Sequence, residues 1–460
     1  ICRAVSFGYR YSNRTNFLGT KVRFYIDFLK QMFYNIFKHS FGDDLMSRII
    51  LHSDCNCFYA SVECALNPAL KGKPVAVSGN PEKRHGIILA KSEEAKKFGV
   101  KTGEAIWQAK KKCPQLITLP PNFSKYVEYS KSVKEIYYKY TDMVESFGLD
   151  EAWLDVTGST RLFGNGYKIA QKIRSRIKKE LDITVSIGVS YNKIFAKLGS
   201  DYKKPDAVTL INKSNYKHMV WSLPAEDLLY VGSATKKKLN SLGIFTIGQI
   251  ANTPVDILKK NLGKWGQMLH SFANGNDTST VALYGETSPV KSIGNSTTSP
   301  RDLKDITDVK IIMGVLADSV ARRMREQGLS CMLVSITVRD NSLCSFTRQK
   351  KLLSYTDITS EILSTALALF KESYSWKKPI RSLGLSVSEL TCKDSGTQLS
   401  LFEDNKKRLR QESLDKTTDA LKNRFGNFII NPAVMLKDTT LSGFNPKADH
   451  TIHPVALKIG

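Results

Sequence analysis

Two short stretches of the chain set acidic side chains against strand-like flanks. Ser53-Asp54-Cys55-Asn56-Cys57-Phe58-Tyr59-Ala60 follows the apolar run Ile49-Ile50-Leu51, so Asp54 stands at the end of a buried strand. Phe147-Gly148-Leu149-Asp150-Glu151-Ala152-Trp153-Leu154-Asp155 puts an acidic pair where the chain turns into another strand. An ionised carboxylate left unpaired in an apolar layer costs on the order of several kcal/mol or shifts its pKa. Divalent cations supply the missing charge: two Mg²⁺ held about 3.5–4 Å apart by shared carboxylates activate an attacking oxygen and stabilise a leaving one. Taken singly, Asp150-Glu151 fits a solvated turn or a helix N-terminus equally well, and Asp54 alone is ambiguous. The combination of two acidic strand ends in a basic chain is what points to metal chemistry. Cys55-x-Cys57 lacks the second ligand pair of a zinc site, and the isolated His450 and His453 carry no assigned role.

The elements that must position these residues are legible in outline. From 46 to about 210, strands at Ile49–Leu51, Val75–Val77, Trp153–Val156 and Val185–Val189 alternate with helical patterns. Ile169, Ile173, Ile177 and Leu181 recur every four residues, as one face of an amphipathic helix does. That is an α+β layout, helices on a small mixed sheet. From 213 to about 282 the chain reads as helical, with glycines at the turns. Segment 290–390 opens on a Ser/Thr/Asn/Pro-rich stretch, Ser292 to Pro300. It then predicts a helix over Ile311–Met324, a strand over Leu333–Val338, a helix around Ile362–Phe370 and a strand over Leu383–Val387, an α/β module tethered by a linker. Beyond Leu390 the composition predicts a polar tail with one apolar island, Gln398-Leu399-Ser400-Leu401-Phe402.

Composition narrows the class. The 460 residues suit about three domains or a core with attachments, and 42% hydrophobic, 10% aromatic and 24% charged residues exclude a disordered or collagen-like chain. A formal net charge of +25 calls for a polyanionic partner, and the absence of long apolar spans favours nucleic acid over a bilayer. Eight cysteines with no CxxC pair fit a reduced, cytoplasmic protein. Residues 1–45 begin with Ile1. Their aromatic stretch Phe24–Phe41 carries Leu29, Phe33, Ile36 and Phe37 at helical spacing but is broken by Asp27, Lys30 and Lys38. With Met46 directly before the first strand, 1–45 is expected to lie outside the fold, a membrane-surface anchor being the sharper alternative.

The residues also carry a resemblance. Asp54-x-x-x-Phe58-Tyr59-Ala60-Ser61-Val62-Glu63 resembles the opening motif of the Y-family, translesion DNA polymerases, and Leu149–Asp155 resembles that family's second acidic motif. Glu94-Ala95-Lys96-Lys97-Phe98-Gly99-Val100 and Gly188-Val189-Ser190-Tyr191-Asn192-Lys193-Ile194-Phe195-Ala196-Lys197 continue the match, in the family's order, over nearly all of 46–402. The nearest group is that of bacterial DNA polymerase IV and UmuC-like proteins. The resemblance implies an α+β multidomain right-hand polymerase: palm and fingers over 46–212 (fingers about 58–124), a helical helix-hairpin-helix thumb over 213–286, an α/β little finger over 287–392, and a tail over 393–460. It implies DNA-templated, two-metal nucleotidyl transfer from a dNTP to a primer 3′-hydroxyl, with low fidelity, no proofreading and a place in DNA repair and the SOS response.

Residue by residue, the resemblance makes Asp54, Asp150 and Glu151 the catalytic carboxylates and ligands of two Mg²⁺, with the carbonyl of Cys55 as a further ligand. Tyr59 becomes the steric gate against a ribose 2′-hydroxyl, and Phe58, Tyr59, Lys96 and Lys197 bind the nucleotide. Without the flanking motif, Tyr59 would read as a packed core aromatic and Lys96 as a solvated helix face. The chain departs from the family at Glu93, where a Tyr that contacts triphosphate is common, and at Gly148, where a Ser is common. Gly232, Ser233, Lys236 and Lys237 lie in the segment resembling a helix-hairpin-helix that grips DNA, an ordinary glycine turn being the alternative. Lys291–Ser296 and Pro300–Leu303 resemble the opening of the little finger, where Arg322, Arg323 and Arg325 could simply be solvated. Gln398, Leu399, Leu401 and Phe402 resemble a peptide that binds the bacterial sliding clamp. The expected partners are primer-template DNA, a dNTP and that clamp, with no membrane and a monomeric protein. The rivals are a clamp-associated DNA-binding factor with lost or weak catalysis, which Glu93 makes conceivable, and a helix-hairpin-helix glycosylase or lyase. The three acidic residues together argue against both.

Overall fold

A computed structural model describes residues 48–392, except 83, 85, 287 and 288, together with 405–449. Segment 1–45, Met46 and the Gln398–Phe402 island lie outside the described residues, as do His450 and His453. The chain enters through β1 (Ile50–Cys55), which is buried along its whole length, and turns at Cys57 into α1 (Phe58–Leu66). A small three-stranded sheet follows, built from β2 (Val75–Ser78), β3 (Ile88–Lys91) and β4 (Ile117–Leu119) in the order β3-β2-β4. α2 (Glu93–Lys97) leaves that sheet with Ser92 as its N-cap. The longer α3 (Phe123–Tyr138) then returns the chain to the first sheet.

That first sheet gains β5 (Val144–Ser146), β6 (Glu151–Asp155), β7 (Val185–Ser190) and β8 (Val208–Leu210), in the order β5-β6-β1-β7-β8. β1 pairs antiparallel with β6 on one side and β7 on the other, so it is central and buried on both faces, with His52, Ser53 and Asp54 among its buried residues. α4 (Gly166–Leu181) packs Ile169, Ile173 and Ile177 into the core beneath the sheet, as their four-residue spacing predicts. α5 (Lys193–Tyr202) packs against β7 at very short range. A Cβ on Gly188 would meet the Ala196 carbonyl oxygen at 1.9 Å and the Ser200 nitrogen at 2.5 Å. Only a glycine lets that helix lie so close. Trp153 ties the start of α5 to β6 by donating from Nε1 to the Lys193 carbonyl at 3.0 Å.

The next unit is helical, with its own core of Ile194, Leu239, Ile247, Ile250, Leu258 and Leu269 among others. In it α6 (Ser233–Ser241) starts at Gly232, whose backbone is extended and whose Cβ position faces open space. The last unit is a four-stranded antiparallel sheet, β9 (Ser292–Leu303), β10 (Leu329–Asp340), β11 (Ser345–Thr356) and β12 (Ile380–Cys392), in the order β11-β10-β12-β9. α7 (Ile306–Glu326) and α8 (Thr359–Ser373) cover one face of it.

Two expectations are corrected here. The Ser/Thr/Asn/Pro-rich stretch from Ser292 is an edge strand paired with β12, because its Ile293, Thr297 and Ser299 face inward while its polar partners face out. Beyond residue 404 the chain is no loose polar tail. α9 (Asn405–Phe425) lies on α7 and α8, and the stretch to 449 carries Leu441 into the same core and buries Met435 against Gly314 of α7. Its polar side chains serve as ion-pair partners. Arg325 takes Asp415 at 3.1 Å and Asp419 at 2.7 Å, Lys422 takes Asp318 at 2.8 Å, and Arg408 takes Glu361 at 3.0 Å. Arg322 bonds Asn423 and Asn427, and Arg323 donates to the Gly294 carbonyl and to Asn295. None of Arg322, Arg323 and Arg325 is a solvated helix charge. Among the described residues, no helix is long and apolar enough to cross a membrane.

Candidate active site

Strand pairing makes the site. The register sets Asp54 opposite Glu151, and the Cys55 N–H donates to the Asp150 carbonyl at 3.0 Å, so the two acidic motifs meet at one end of the sheet. Period-two alternation puts His52 on the same face of β1 as Asp54. His52 is fully buried, with Nδ1 2.9 Å from Ser200 Oγ and Nε2 3.3 Å from Glu151 Oε2 but outside hydrogen-bond alignment. Ser53 accepts from the buried Tyr137 hydroxyl at 2.8 Å. Behind the second motif, the Lys134 ammonium donates to the Gly148 carbonyl at 3.3 Å, and the Ser130 hydroxyl donates to the Leu149 carbonyl.

Cations close the site from α5 and the turn after it. Lys197 Nζ donates to Glu151 Oε2 at 2.6 Å and to Asp54 Oδ2 at 3.2 Å. Lys204 Nζ donates to the same Asp54 oxygen at 2.8 Å, and it pairs with Asp201 Oδ1 at 2.8 Å. Burial alone would lower both ammoniums, but the carboxylates around them hold both above the ordinary lysine value. The acids divide in the opposite senses. Burial, then the charges of Glu151 and Asp54, push Asp150 up to about 6. Burial would raise Glu151 as well, but the His52 ring and the Lys197 ammonium overcome it and hold this group down at about 2.

The donor set fits hard divalent cations, since such ions take oxygen ligands and three carboxylates are offered here. A single cation, the Lys197 ammonium, already touches both Asp54 and Glu151. Among the described residues, no group of three His, Cys, Asp or Glu side chains is gathered in finished metal-binding geometry.

Beside the carboxylates, α1 carries Phe58 and Tyr59. The Tyr59 ring stacks on Tyr126 at 4.4 Å between centroids and meets Phe123 edge-on at 6.0 Å. Tyr126 is itself pinned by donating to Glu63 at 2.6 Å. Burial raises the Tyr59 phenol, and the charge of nearby Asp150 adds to that. The expected nucleotide ligand Lys96 is not brought to the carboxylates: it is half-exposed on α2, with Glu93 Oε2 at 3.6 Å. Glu93 is turned onto Cys57, whose thiol donates to its Oε1 at 3.1 Å. Burial and that bond push the Cys57 thiol up to about 12. In the helical unit, Lys236 is ion-paired with Glu226, and Ser233 opens α6 just after Gly232, with Lys237 one turn on.

Sequence reasoning missed His52, Lys204 and Asp201. His52 could have been found from its position two residues before Asp54 in one strand. Lys197 and Asp201 share a helix face at a spacing of four. Lys204 sits in Lys203-Lys204-Pro205, past the helix, where nothing in the pattern separates it from solvated charge.

Three family models match in sequence: the impB/mucB/samB family over residues 53–201, the DNA polymerase-iota thumb domain over 226–277, and the impB/mucB/samB family C-terminal domain over 290–401. The chain is 53% identical to the DNA polymerase IV of Acetivibrio thermocellus, over 86% of this chain and 100% of that protein. It is 40% identical to the DNA polymerase IV of Oceanobacillus iheyensis, over 83% and 91% of the two chains. It is 38% identical to DNA polymerase IV 2 of Bacillus subtilis, over 85% and 95%. Among solved structures, a Y-family DNA polymerase chimera of Dbh and Dpo4 superposes with a TM-score of 0.66 at 26% identity, covering 75% of this chain and 99% of the other.

Proposed function

The chain belongs to the DNA polymerase IV group of the Y-family, DNA-directed DNA polymerases of translesion synthesis, and from that premise we propose how its own residues carry nucleotidyl transfer. Asp54, Asp150 and Glu151, with the main-chain carbonyl of Cys55, would hold two Mg²⁺. When bound, these ions supply activation of the primer 3′-hydroxyl and charge stabilisation at the pyrophosphate leaving group. The chain's own groups do the positioning. Burial, with the charges of Glu151 and Asp54, disfavours the ionised Asp150 that a cation would neutralise, while Glu151 stays ionised at any physiological pH. Lys197, an ion-pair partner of Asp54, meets the triphosphate and adds positive charge where negative charge builds. Tyr59, clamped flat against Tyr126, presents a rigid ring edge to the sugar and acts as the steric gate, with Phe58 packed below it. Lys96 contributes to nucleotide binding from α2.

Glu93, the residue that raised the alternative of lost catalysis, has its carboxylate engaged by Cys57 and Lys96 rather than free to repel a phosphate. Gly232, Ser233, Lys236 and Lys237 grip the duplex through phosphates, without reading sequence. Residues 398–402 dock on the bacterial sliding clamp, which raises the enzyme's effective concentration at a primer end. The protein acts as a cytoplasmic monomer.

The observation that carries this reading is the sharing of one cation by Asp54 and Glu151 across paired strands. Extension of a labelled primer on an undamaged template tests it, with dNTPs and Mg²⁺, wild type beside Asp150→Ala. The expected result is a product ladder from wild type alone. A variant that extends as well as wild type removes Asp150 from the metal site.

A further inference from the structure

We propose that Lys204 is a resident counter-cation of the metal site, one that a divalent ion must displace from Asp54 and that thereby sets the site's metal affinity. The inference rests on the reading of Asp54 as a metal ligand. Two lysines converge on a single oxygen, Asp54 Oδ2, at 2.8 Å for Lys204 and 3.2 Å for Lys197. They are not equivalent. Lys197 also holds Glu151 at 2.6 Å, whereas Lys204 touches no other carboxylate of the proposed ligand set. Its second partner is Asp201 Oδ1 at 2.8 Å, outside that set and half-exposed on α5, a carboxylate whose other oxygen stands farther off, at 3.5 Å, from Lys197.

That arrangement is an exchange device. One carboxylate oxygen cannot give its full field to an ammonium and a divalent ion together, and the doubly charged ion wins at sufficient concentration. Lys204 then keeps Asp201, so its charge is not left unpaired and the exchange costs less than breaking an isolated pair. Until a metal arrives, the same ammonium offsets the repulsion that would build among Asp54, Asp150 and Glu151.

The test is Mn²⁺ binding to the full chain without DNA or nucleotide, followed by the electron paramagnetic resonance signal of free Mn²⁺. Lys204→Met is expected to lower the Mn²⁺ dissociation constant by about 5-fold, the scale of a partly exposed ion-pair competitor, and Lys204→Arg is expected to stay near wild type. Asp201→Asn removes the ammonium's alternative partner and is expected to weaken Mn²⁺ binding, less so in the Lys204→Met background. Thermal melting of each variant reports folding separately. Unchanged or weaker Mn²⁺ binding by a folded Lys204→Met protein overturns the proposal. Asp54→Asn keeps the two readings apart: if it leaves Mn²⁺ binding intact, Asp54 is not a ligand and the metal-site reading itself fails. If Asp54→Asn abolishes binding while Lys204→Met changes nothing, only the role of Lys204 falls.

Discussion

Asp150 and Glu151 are neighbours in sequence with opposite electrostatic fates. Burial and two like charges push Asp150 from 3.8 up to about 6, while Glu151, touched by Lys197 and His52, is held at about 2. The consequences for stability have opposite signs. Between pH 4 and 6 the folded chain binds a proton at Asp150 that the unfolded chain has released, so this group's contribution falls as pH rises through 6 and stays unfavourable above it. Glu151 contributes stability above its ordinary value of 4.5, lost as pH falls toward 2. In metal-free protein with EDTA, Asp150→Asn is therefore expected to be more stable than wild type by about 2 kcal/mol at pH 7.5. The gain should shrink to nothing near pH 4; urea unfolding at both pH values measures it, and a less stable variant at pH 7.5 refutes the crowding argument. The three acids were legible in the sequence because each stands at the end of an apolar strand. Lys204 and Asp201 were not, because the pairing of Lys204 with both Asp54 and Asp201 depends on how α5 leans on β7, which no local pattern encodes.

At the scale of elements, that lean depends on one residue. Gly188 lets α5 approach β7 to within backbone contact, and α5 carries Lys197 to the carboxylates. Gly188→Ala cannot be absorbed by a side-chain rotation, since the atoms in the way are the Ala196 carbonyl and the Ser200 nitrogen. The variant is expected to lose at least about 1–3 kcal/mol of stability, the usual range for overpacking. It should also lose primer extension more steeply than its melting temperature falls. Equal activity and stability would show that α5 can shift freely. Periodicity found α4 through Ile169, Ile173 and Ile177 and found the inner strands, because burial on a regular face leaves a regular pattern. It missed β9, whose Ser, Thr and Asn residues belong to an edge strand with one solvated side, and β11, most of which is exposed.

The whole molecule ends differently from its composition. Polar residues after 404 read as a solvated tail because sequence cannot separate a charge bound by water from one bound by a buried arginine. Arg325 is nearly buried, and its carboxylate partners Asp415 and Asp419 come entirely from α9. Ending the chain after residue 404 strips that arginine of both, which costs roughly 3–5 kcal/mol while it stays buried. The truncated protein is expected to show an earlier melting transition in calorimetry; an unchanged profile would mean that α9 adds nothing to the little finger's stability. β12 and α9 both pack on α7, so the sheet and the C-terminal helix share one support, and a load taken by either is passed to the other through α7.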